Sequence, residues 1–232
     1  MNKRVYNSTF GKIVRTLGFL LVLVSSLYIS TYLIIQNDTL PFVSSLLPFA
    51  QQLEGIIDTL PAFIADYIGL FLVVGLILLT WAIRKGIILR VLITVVLLFG
   101  YLESAINSSS SLVPITLTNP SWMSTVLNLV DSFYISIIGL SEFVIPGVMV
   151  AAPMFLWALF ANKKPGRFSV LMMRLGSIAL FLAILSLVLG DLFLTTLALQ
   201  NWYMTVQIAL YMVTYLLFVV GGVFGFIGFS RK

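Results

Sequence analysis

Neither cysteine nor histidine occurs anywhere in the 232 residues. Without cysteine there is no disulfide, no thiolate nucleophile, no iron–sulfur ligation and no S-acylation. Without histidine the commonest general base, the usual haem ligand and the usual zinc or copper ligand are gone. Charge is scarce too: Asp, Glu, Lys and Arg make up 9% of the chain, against about 25% in a soluble domain. A binuclear carboxylate centre stays open on chemical grounds, but the eight acids are scattered and show no Glu-x-x-His pairing. We therefore expect no enzyme activity, no cofactor and no bound metal.

What fills the chain instead is apolar: 60% of residues are hydrophobic and the mean hydropathy is +1.12. About 20 apolar residues cross a bilayer core, so there is room for about six crossings and none for a separate soluble domain. The reading is an all-α, polytopic integral membrane protein, one membrane domain over 1–232, with six transmembrane helices. Their expected bounds are 17–35, 63–83, 87–105, 143–161, 169–189 and 204–229. The basic start with an apolar run suits a signal peptide in outline. However, the run is longer than the usual 7–15 residues and no small-x-small cleavage site follows, so it reads as the first membrane helix.

Two stretches are too polar to cross and too apolar to float free. Residues 40–60 place Leu46, Leu53, Ile56, Ile57 and Leu60 near helical spacing among Gln51, Gln52, Glu54 and Asp58. Residues 123–140 repeat the plan around Asp131. Each is expected to be an extracytoplasmic amphipathic segment that feeds the next membrane helix. A Ser-, Pro- and Thr-rich linker, 107–121, and a loop, 190–203, complete that side.

Loops rich in Lys and Arg stay cytoplasmic. With six crossings and both termini cytoplasmic, segments 1–16, 84–90, 162–174 and 230–232 hold all 13 bases. The eight acids, Asp38, Glu54, Asp58, Asp66, Glu103, Asp131, Glu142 and Asp191, then lie outside or at outer helix ends. Five or seven crossings would mix the two sets. Tyr28, Tyr32, Tyr101, Trp122, Trp202 and Tyr203 are expected at the outer interface, with Trp81 and Trp157 at the inner one.

An internal repeat is also legible. Asp66-Tyr67-Ile68 aligns with Glu142-Phe143-Val144, and without a gap Trp81-Ala82-Ile83 falls on Trp157-Ala158-Leu159. Both copies would cross in the same sense, as a parallel duplication of a helical hairpin. The alternative is that hairpins in general place Trp and Lys/Arg at an inner interface.

Four residues are candidates for a pathway. Asp66 and Glu142 would be costly as ions below the headgroups, where such residues mark ion or proton routes. At the outer interface they would instead be solvated helix starts that favour the helix dipole. Pro146 and Pro153 remove backbone donors and should kink the fourth helix, freeing carbonyls that can line a path or only bend it. Gly221, Gly225 and Gly228 allow close helix approach, within the chain or between copies. Asn37 and Asn107 begin sequons on the expected outer side and are glycosylation candidates, whereas the Asn7 sequon falls inside.

Several helices with extracytoplasmic amphipathic segments and short basic cytoplasmic loops resemble the polytopic channel subunit of type IV secretion systems and its archaeal DNA-import counterpart. The resemblance implies DNA as cargo and a separate cytoplasmic ATPase as motor. No functional residue is carried over from it. The expected partners are the lipid bilayer and other membrane subunits, in the cell membrane of a prokaryote. The expected role is a non-enzymatic subunit of a larger assembly that forms or lines a translocation channel; the alternative is a small-solute or ion transporter acting alone or as a homo-oligomer.

Overall fold

A computed structural model describes residues 9–83, 86–106, 112–115, 121–137, 168–193 and 197–230. Among them there is no strand. Seven helices follow in order: α1 Thr9–Gln36, α2 Leu47–Ile57, α3 Ala62–Ile83, α4 Ile87–Ile106, α5 Ser121–Ile137, α6 Phe168–Phe193 and α7 Leu197–Ser230. The stretches Thr9–Gln36, Ala62–Ala82, Phe168–Ser186 and Trp202–Gly228 are long and apolar enough to cross a membrane. Arg90–Leu102 of α4 is a shorter apolar stretch. The helix expected over 143–161, with Trp157, the second copy of the repeat and residues 162–167 of the basic segment, lies outside the described residues.

The main contacts run in a row, α4–α3–α1–α7–α6, with α2 against α1 and α5 against α4. Glycines set its closest crossings. A Cβ on Gly75 would stand 3.0 Å from the Gly18 carbonyl and 2.9 Å from Val22, so α1 and α3 touch backbone to backbone. A Cβ on Gly222 would meet the Leu23 backbone at 3.1 Å, and one on Gly225 would fall on the Phe19 ring. Gly176 faces Phe218 and Gly221 faces Met173, joining α6 to α7. Without a hydrophobic drive between helices in lipid, such close van der Waals contact is what holds them together.

These pairings make neighbouring helices antiparallel and sort the charges. Lys12 and Arg15 lie in the first half of α1, at the end where Trp81 and Arg90 close the α3–α4 hairpin. There the Trp81 indole donates to the Thr94 hydroxyl at 3.0 Å, and the Arg90 guanidinium lies 5.6 Å from the Trp81 ring centre. Gly86, at φ +89°, makes the turn, which an L side chain would resist. Asp58 and Asp66 lie at the opposite, acidic end, beside Tyr32 and Tyr28.

Three expectations change. First, α1 begins at Thr9, eight residues before the apolar run, because hydropathy marks the bilayer and not the helix. In that extra length the Arg15 Nε donates to the Gly11 carbonyl at 3.0 Å. Second, the loop expected over 190–203 is largely helical: α6 continues to Phe193 and α7 starts at Leu197. Third, part of the linker expected over 107–121 is interior, since Leu112, Val113 and Ile115 are buried.

Candidate functional site

Polar side chains within apolar helices must find partners, and most here find them on their own helix. The hydroxyls of Ser25, Thr31, Thr80, Ser177 and Thr214 each donate to the carbonyl four residues back, at 2.8 Å. Ser30 bonds to Leu27 at 3.0 Å. Ser26 is the exception: its hydroxyl is fully buried and has no hydrogen-bond partner among the described residues.

At the acidic end two tyrosines and a carboxylate converge on a cleft. Tyr28 and Tyr32 stand one turn apart on α1 with rings stacked at 4.6 Å. The Tyr32 hydroxyl donates to the Asp58 carboxylate at 3.3 Å, where the chain leaves α2. These three side chains, with Leu60, Pro61 and Ala65, line a half-open cleft between α1, the end of α2 and the first turn of α3. Asp66, half-buried, follows Ala65 of that lining by one residue on α3. It stands fifteen residues from Trp81, about 22 Å along α3, which is short of the roughly 30 Å hydrocarbon core.

Above the α3–α4 hairpin, α5 is pinned by its first turn. The Trp122 indole donates to the Tyr67 hydroxyl at 2.9 Å, and the Tyr101 hydroxyl to the Met123 sulfur at 3.3 Å. Tyr101 is therefore buried, not an interface anchor as expected. Trp122 and Trp202 are exposed, as anchors in an interface would be.

A second polar tie lies deeper. The Tyr215 hydroxyl donates to the Leu112 carbonyl, and both residues are buried. Since Gly222 packs on Leu23, the antiparallel register places Tyr215 near the level of Ser30, about 9 Å short of the Gln36 end of α1. Residues 112–115 are thus non-helical backbone at bundle depth, a conformation tolerated only where protein satisfies it.

The remaining candidates separate. Glu142, Pro146, Pro153 and Asn107 lie outside the described residues. Gly221 and Gly225 stand at helix contacts, while Gly228 has open space around it. Asn37 turns its amide back to the Leu33 carbonyl at 2.8 Å and closes the end of α1. Arg174 lies in the second turn of α6 and is half-buried, with a stem long enough to carry its head toward water.

The tyrosines of the cleft read, in sequence, as interface anchors. Their i, i+4 spacing on a helix was the signal that they stack. For 112–115 the signal was the apolar run Leu112-Val113-Pro114-Ile115 inside a Ser- and Thr-rich linker. No protein-family model matches the chain, and no curated protein and no solved structure is similar to it.

Proposed function

We propose that this chain is a non-enzymatic, multi-pass subunit of a larger membrane assembly and contributes to the wall of a translocation path. It crosses the cell membrane six times, with both termini and the basic end in the cytoplasm. The observation that carries the reading is the row of main contacts α4–α3–α1–α7–α6 among the described residues. Such a row leaves broad apolar faces, including Val91, Leu92, Val95 and Leu98 on α4 and Leu171, Leu175, Ile178 and Leu182 on α6. That shape suits a wall that neighbours complete better than a bundle enclosing its own path. The absence of cysteine and histidine from the sequence supports a role without catalysis. DNA as cargo and a separate cytoplasmic ATPase are what the resemblance to type IV secretion and archaeal DNA-import channel subunits adds.

Extraction from native membranes in mild detergent tests this. The chain should elute with stoichiometric membrane partners, far above its 25.7 kDa mass. A lone chain that moves solute in liposomes would overturn it. Orientation is open to labelling because the protein has no native cysteine. A single cysteine at Ser44 should react with impermeant maleimide on intact cells and one at Gly86 only after permeabilisation; the reverse pattern refutes the orientation.

A second reading, a small-solute or ion transporter acting alone or as a homo-oligomer, is favoured by the cleft that Asp58 lines, with Asp66 one residue beyond its Ala65 wall. Neutralising Asp66 separates the two readings. A transporter loses flux, whereas an assembly subunit still co-purifies with its partners.

A further inference from the structure

We infer that the cleft between α1 and the α2–α3 turn is a binding site for an organic ammonium group. The inference does not depend on the assembly reading, because it needs only the folded chain in a membrane. Three features define the chemistry. Two tyrosine rings one helical turn apart line the cleft, and aromatic rings attract cations through their quadrupoles. Asp58 adds a carboxylate in the same lining; only one of its oxygens takes the Tyr32 hydroxyl, so acceptor capacity is left for a second donor. Leu60, Pro61 and Ala65 supply apolar walls that fit alkyl substituents better than a hydrated metal ion, which requires several oxygen ligands.

Charge complementarity points the same way. Asp66 follows Ala65 of the lining by one residue and adds a second acid near the cleft. Among the described residues, Lys12, Arg15 and Arg90 lie toward the far end of the row. Tyr32 is four residues, about 6 Å, from the Gln36 end of α1, a level that a lipid headgroup and a dissolved amine can both reach. The shared ligand chemistry is a choline-like or primary ammonium, and its source is for experiment to assign.

The test uses the full chain in nanodiscs and two probes: choline, and its neutral isostere 3,3-dimethylbutan-1-ol. Calorimetry in phosphatidylglycerol discs should show saturable binding of choline and none of the isostere. Asp58→Asn should weaken choline about tenfold, and Tyr28→Leu by a similar factor, while circular dichroism and elution stay those of the parent. Phosphatidylcholine discs then assign the source. Suppressed choline binding there identifies the lipid headgroup as the occupant, and unchanged binding identifies a dissolved amine. Equal affinity for the isostere, an unaltered Asp58→Asn affinity, or no saturable choline binding in phosphatidylglycerol discs would each overturn the proposal.

Discussion

Toward the basic end, α1 meets its neighbours through glycine: Gly18 against Gly75, Leu23 against Gly222, Phe19 against Gly225. Toward the acidic end, the same helix carries Ser25, Ser26, Ser30, Thr31, Tyr28 and Tyr32. There the contacts are hydroxyls, rings and a cleft. The first half gains from backbones that approach until there is no room for a methyl group. The second half keeps its polar groups, Ser26 excepted, satisfied at depth and leaves an opening. One helix therefore has a sealed half and an accessible half, and the difference follows from where it and its neighbours place glycine.

The sharpest way to break this contrast is to widen the sealed half. Gly75→Leu should force α1 and α3 apart and cost on the order of 3 kcal/mol, read as lost folded yield and an early thermal transition in detergent. An intact transition would show that the crossing is loose. At the other half, Tyr215→Phe removes the buried hydrogen bond to the Leu112 carbonyl and should cost about 1–2 kcal/mol. A cysteine placed at Val113, silent to maleimide in the parent, should become reactive in that variant. Smaller still, Tyr32→Phe removes an exposed hydrogen bond and should shift stability by no more than about 0.5 kcal/mol. Gly228→Ala is the matched control for glycine: with nothing near its Cβ it should be neutral or stabilise by about 0.5 kcal/mol through helix propensity.

The long apolar runs were legible because a bilayer imposes length and excludes charge. Hydropathy therefore located Ala62–Ala82 and Phe168–Ser186 without help from packing. Helix ends outside the hydrocarbon were not legible that way. Lys12 and Arg15 look like a polar leader yet continue α1, and Gly190-Asp191 looks like a breaker yet lies within α6. The amphipathic pattern around Leu53 and Ile57 did announce α2, since period 3.6 survives partial exposure. The cleft was half legible. Asp58 and Asp66 drew notice as acids near a membrane surface, but their meeting with Tyr28 and Tyr32 depends on how α3 leans on α1, which no local pattern encodes. Residues 112–115 were hidden by their company, because four apolar residues inside a polar linker carry no period.

The place of α1 between α3 and α7 has a consequence for how the molecule is made. A ribosome delivers α1 early and α7 late, so the seat that Gly222 and Gly225 provide reaches the bilayer only after most of the chain is in place. In the interval α1 must dwell in lipid with one flank bare. Its serines and threonine are fitted for that wait, since Ser25, Ser30 and Thr31 donate to carbonyls of α1 itself and need no neighbour to stay paired. Ser26 has no such refuge among the described residues, and it ends buried in the finished fold.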